Sequence, residues 1–338
     1  MLNENGSQTL RAAVNFEGIT SSFASSSMAE KNELIWMDMA GSVEKETRIK
    51  QDKAFLILDA EADESFFYLT GVEMDEGKAT ALILKLNKSN RSQQKFLLND
   101  SLNSWFNAVC FHNGDMVAVG WKQESDNKRQ LMVKLSRQLS LQEEILFGNV
   151  DHGVAMDVQS SGNSLFIFGH EYFDLNRDLS VSKFEKEELK WHKNFGSSAY
   201  EEAQNMIIAS DQSLVLAAHS ASIDPLHNAY CLKLDFNGNV IWEKQFGGAA
   251  HDGCEAVIEA QDASLIFVTR SESFGADSDV YVLKLDPGGT LITEQLVVEN
   301  GINEAYELVE QVDNYLLLGG QKDDLNAEED IHFITITK

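Results

Sequence analysis

Six residues concentrate the chemistry that this chain can bring to one place: Trp105, His152, Tyr200, Glu201, His251 and Asp252. Counting back three positions from a small residue that opens a strand-like run (Ala108, Ala155, Ala203, Cys254, Ala305) reaches Trp105, His152, Tyr200, His251 and Ile302. One position further on stand Phe106, Gly153, Glu201, Asp252 and Asn303. Indole and phenol rings offer flat stacking surface, while imidazoles and carboxylates exchange hydrogen bonds and protons. Such groups, set in loops above a rigid scaffold, make a binding face. The expectation is stacking by Trp105 and Tyr200 and hydrogen bonding by His152, Glu201, His251 and Asp252. The alternative is that these positions pack the loops and their polar groups cap strand ends.

Other chemistries find less support. His152 and His251, with Asp151 and Asp252, have donors for a metal, but they fall in non-adjacent repeats, too far apart for one zinc with bonds of about 2 Å. The acidic runs Asp323-Asp324 and Glu328-Glu329-Asp330 lack the alternating ligands of a calcium loop. No cofactor is expected. Nucleophile-elbow, His-Glu-x-x-His and phosphate-loop patterns are absent. A glycosidase pair needs carboxylates about 5 or 6.5–9.5 Å apart, a separation that sequence spacing does not define. Cys110, Cys231 and Cys254 sit singly in apolar runs and read as small buried hydrophobes, not as a disulfide framework.

What must position these residues is a repeat. An apolar run centred on lysine returns at Lys85, Lys134, Lys183, Lys233 and Lys284, with worn copies at Trp36 and Thr335, giving gaps of 49, 49, 49, 50, 51 and 51. Each period holds four short strand-like runs broken by turn pairs such as Asn113-Gly114, Asn237-Gly238 and Pro287-Gly288, and none shows helical spacing. Four short strands cannot bury both faces of their own sheet, so neighbouring sheets must stack. The expectation is all-β: a seven-bladed β-propeller of four-stranded antiparallel blades. It would fill residues 1–338 as a single domain, with blades at about 8–50, 51–100, 101–148, 149–197, 198–248, 249–299 and 300–338. Seven inner strands go with six outer ones, so the last blade is three-stranded, or residues 2–7 supply its missing strand and lock the ring. The anchor lysines read as ion-pair partners of carboxylates on adjacent strands or blades, and Trp191 and Trp242 as packing between blades.

The run Asp235, Asn237, Gly238, Trp242, Phe246, Gly247, Gly248 resembles the repeat of many secreted bacterial seven-bladed propeller proteins. Trp191, Phe195 and Gly196 keep part of it, as do Phe147 and Gly148. The likeness extends over residues 50–338 and is sharp in 180–290, the other blades having lost the Trp and the double Gly. Asp-box, kelch, WD40 and quinone-propeller signatures fit less well. The resemblance implies a surface or envelope module without a known reaction.

With 54 acids against 27 bases the chain carries a net charge of −27, which disfavours nucleic acid and anionic membranes as partners. No apolar run approaches the roughly 20 residues of a membrane helix, and Met1–Gly6 lacks the pattern of a signal peptide. The expected role is non-catalytic recognition of a protein or glycan partner through the loops of one rim. The alternatives are a carbohydrate-active hydrolase or lyase using His152, Glu201, His251 and Asp252, or a structural subunit of an envelope assembly. The resemblance favours an extracytoplasmic setting, with which unpaired cysteines and a bare start fit no better than with the cytoplasm. Oligomeric state is left open.

Overall fold

Each repeat folds into one antiparallel sheet whose strands follow in chain order, six sheets with four strands and the last with three. The computed structural model describes residues 8–337, apart from 17–18, 29–30, 40–42, 100, 150–151, 174–175, 197–199, 222–226, 275–277, 298–301, 312–313 and 323–328. The sheets span residues 8–51, 54–97, 104–147, 153–195, 201–246, 252–297 and 302–337. Their first strands neighbour one another in sequence order, and the first (Gln8–Phe16) also meets the last (Ile302–Glu310), so they form a closed inner ring. This is the expected seven-bladed β-propeller. The last blade is three-stranded among the described residues; residues 2–7, the alternative source of its fourth strand, lie outside them.

The core is divided among the seven contacts between blades. In blade 5, Ser213–Ser220 is buried at every position, because sheets cover it from both sides, whereas the outer strand Val240–Phe246 is mostly exposed. Between blades 5 and 6, Val215, Ala217 and Cys231 meet Cys254, Val257 and Phe267. Equivalent clusters join the other pairs, and among the described residues blades 1 and 7 meet through Ala24, Ile35, Met37, Leu316 and Leu318.

Three of the repeated lysines and Trp242 fasten one blade to the next, while Lys183 and Lys284 pair with Glu185 and Asp262 of their own blades. Lys85 Nζ reaches the Arg137 carbonyl (2.6 Å), Lys134 pairs with Glu187, and Lys233 donates to Asp211 (2.8 Å) and to the Pro287 carbonyl (3.0 Å). The Trp242 indole donates to that same Pro287 carbonyl (3.1 Å), and a Cβ on Gly289 would lie 2.8 Å from its ring. The tight turn therefore needs its glycine twice, for the positive φ of 82° and for the ring beside it.

Every inner strand carries a β-bulge, and in several blades a polar side chain beside it reaches the next blade. Asp59 accepts the Val109 N–H of the next blade (2.8 Å), Asp157 accepts that of Met206 (2.7 Å), and Asn205 accepts that of Val257 (3.0 Å). Side chains thus satisfy main-chain donors that no neighbouring strand reaches. Burial raises the carboxyls of Asp59 (well above its ordinary range), Asp157 (pushed up to about 6) and Glu307 (pushed up to about 8), and the three also repel one another across the axis.

Two outcomes follow. Trp242→Ala is expected to lower unfolding stability by about 3 kcal/mol in urea titrations, through the cavity left between blades. A carboxyl with a raised folded pKa contributes stability that is complete below its unfolded value of about 4 and lost as pH rises through the folded one. Histidines lowered by burial act in the opposite sense, but only below about 6.5. From about pH 6.5 to 8, stability is therefore expected to fall, with Glu307 alone contributing less than ~1.4 kcal/mol per unit, the one-proton limit, and Glu307→Gln should flatten that slope.

Candidate functional site

The loops leading into the inner strands share one backbone hydrogen bond that defines equivalent positions. The carbonyls of Asn103, His152, Tyr200 and His251 accept the N–H of Gln123 (2.8 Å), Tyr172 (2.8 Å), Ala221 (3.0 Å) and Glu272 (2.8 Å) respectively. His152, Tyr200 and His251 stand where the spacing put them. Trp105 does not: the blade 3 bulge follows Phe106, so counting from Ala108 lands two residues late and the true counterpart is Asn103. Trp105 lies inside the strand and stacks on Trp121 (6.1 Å, 17°), whose ring is covered by Lys128 Nζ at 4.1 Å.

Glu201 and Asp252 are buried, at 0% and 3% exposure, and differ in placement from the expected rim contacts. Glu201 accepts from Ser220 Oγ (3.0 Å). Asp252 accepts from Ser271 Oγ, Ser273 Oγ (2.7 Å) and the Gly248 N–H (2.7 Å). These carboxylates explain the recurring Phe-Gly pair. A Cβ on Gly196 would meet Glu201 at 2.6 Å, one on Gly247 would meet Asp252 at 2.5 Å, and one on Gly148 would meet Glu171 at 2.0 Å. Only glycine leaves room for a buried acid that holds the loop between blades.

Around these clamps runs a chain of rings. His152 sits edge-on to Tyr172 (4.8 Å), Arg177 lies 3.4 Å over Tyr200, and Tyr200 stacks on His227 (5.4 Å, 24°). His227 in turn meets His251 edge-on (5.5 Å) and lies 6.2 Å from His219. Arg177 is held by Glu202 (2.5 Å), and His219 by Glu255 (3.2 Å). Burial lowers the pKa of His152 and His227, the latter helped by His219 and His251, and takes His170 down to about 3. Burial pushes the Tyr200 phenol up to about 12. These groups are neutral near pH 7, suited to hydrogen bonding. His219 and Arg177 escape a reading of the loops into the inner strands because they stand on a second and a third strand, and His227 because it directly precedes a third strand.

Among the described residues no group of three or more His, Cys, Asp or Glu could hold a metal ion; Asp151 and Asp323-Asp324 lie outside them. Ser182 Oγ, His192 Nδ1 (2.7 Å) and Glu171 Oε2 (3.0 Å from His192 Nε2) line up in the order of an acyl-transfer triad. Ser182 and Glu171 are both fully buried, so no carbonyl carbon can approach the hydroxyl. Among the described residues no helix is long and apolar enough to cross a membrane.

No family model and no curated protein matches the chain. Solved structures do. The β-propeller domain of the Trilobed protease from Pyrococcus furiosus, reported to have an open velcro topology, matches over 98% of both chains at 9% identity and TM-score 0.56. A Mycobacterium tuberculosis puromycin-hydrolyzing peptidase matches at 11% identity and TM-score 0.59, over 97% of this chain and 50% of that one. Pyrococcus horikoshii acylaminoacyl peptidase matches at 9% and 0.56, over 97% and 51%. The chain spans about half the length of the latter two. At such identities the likeness establishes the fold. It also corrects the expected role. The expected non-catalytic protein- or glycan-binding module gives way, because these matching propellers belong to peptidases.

Gly247 (φ 154°) and Gly77 (φ 83°) separate the two demands on glycine, since a Cβ on Gly77 would meet nothing within 4 Å. Gly77→Ala is expected to cost about 1 kcal/mol from its backbone alone. Gly247→Ala, which also displaces Asp252, should cost about 3 kcal/mol by chemical denaturation.

Proposed function

We propose that this chain is the propeller unit of a peptide hydrolase, with the rim that carries Tyr200, His227 and His251 turned toward the peptide. The observation that carries this reading is the match over 98% of both chains to the propeller domain of a protease. The rim supports it: flat rings stack on peptide planes, and a neutral imidazole such as His227 both donates and accepts, as an extended main chain requires. In this reading Trp105, His152, Tyr200 and His251 meet the peptide, while Glu201 and Asp252 position the loops beneath it. Ser182 being closed to solvent, the attacking group comes from a partner catalytic unit. The likeness of residues 180–290 to secreted propeller repeats supports an extracytoplasmic setting.

The test is photo-cross-linking with unstructured ten-residue peptides carrying benzoylphenylalanine. Cross-links are expected at residues 103–105, 152, 200 and 251, and the Tyr200→Ala/His251→Ala double variant should bind about tenfold more weakly. Cross-links confined to the opposite rim, or no peptide binding, would overturn the proposal.

A further inference from the structure

A cavity of about 500 Å³ opens between blades 5 and 6, lined by Gln245, Phe246, Phe274, Tyr281, Glu294 and Leu296. Its walls are the outer strand of blade 5 (Val240–Phe246) and the third and outer strands of blade 6 (Asp279–Leu285, Leu291–Val297). The Phe274 ring lies 4.9 Å from that of Tyr281 at 45°, and Phe274 stays 46% exposed, a large apolar face left to water. Tyr281 is buried and donates its hydroxyl to Glu294. Neither Glu294 nor the nearby Asp252 has a basic partner among the described residues. Burial and the fields of Glu294 and Asp252 all raise the Tyr281 phenol. Gly247, at the end of the blade 5 outer strand, also lines it, which connects it to the loop that carries His251.

Three aromatic rings beside a carboxylate that has no basic partner among the described residues form an environment that selects an organic cation. The ring faces attract positive charge through their quadrupoles, and the carboxylate supplies a directed acceptor. We propose that this cavity is a subsite for a basic peptide side chain, arginine in preference to lysine. Arginine is favoured because its planar guanidinium stacks on a ring while still donating two parallel hydrogen bonds to Glu294. The chain's net charge of −27 draws such ligands in. The selectivity for a cation rests on the cavity's own residues. Identifying that cation as a peptide side chain rests on the reading of the rim above.

The test compares Nα-acetyl-arginine methylamide, its lysine analogue, the uncharged isostere Nα-acetyl-citrulline methylamide and tetramethylammonium, by NMR titration of the intact chain. Arginine is expected to bind at least tenfold more tightly than citrulline and more tightly than lysine, weakening with salt. Phe274→Ala, at an exposed position that leaves the fold intact, and Glu294→Gln should each remove about tenfold of that preference. Equal binding of arginine and citrulline, or a preference untouched by both variants, would overturn the subsite. Binding of tetramethylammonium alone would overturn the peptide side chain as its occupant. Rim cross-linking can fail while this preference persists, or the reverse, so the two proposals fall separately.

Discussion

Among the described residues the seven sheets share no ladder with one another, which leaves the edges of their inner strands unpaired around the axis. An open strand edge costs free energy when removed from water and invites pairing with another chain. Asp59, Asp157 and Asn205 answer this by reaching across to the next inner strand's N–H, and Asn107 does so by donating to the Ala155 carbonyl (2.7 Å). The apolar wedges outside this ring align the blades, but they have no direction of their own. The axial side chains fix how far each blade is rotated against its neighbour, and the rim inherits its geometry from that angle.

The same logic of buried acids recurs at the loops. Glu171, Glu201 and Asp252 are removed from water, yet each sits among hydrogen-bond donors, which offsets the cost of burying charge. In return the loops become rigid enough to carry Tyr200 and His251 in fixed relation to rings on other strands. Preorganisation of this kind lowers the ordering cost when a ligand arrives.

Much of the architecture was legible in sequence because every blade solves the same problem with the same residues. The lysine anchors recur because each of Lys85, Lys134 and Lys233 pins a turn of the following blade. The Phe-Gly pair was visible as a motif, but its cause was hidden, since the acid that requires the glycine comes from the second strand in blade 4 and the first strand in blades 5 and 6. Trp105 was placed two positions off because a bulge leaves no mark when the residue before it is Phe106 and not a small one. His227 joins Tyr200 and His251 through space alone, between loops of two blades, and spacing along the chain carries no trace of that meeting.

The way the blades are joined has a mechanical consequence. Among the described residues each of the seven junctions is made by side chains and none by a ladder between sheets. Sheets held in this way behave like the staves of a cask. Each is stiff along its own length, adjacent staves slip slightly past one another, and a push on one rim is shared around the whole hoop.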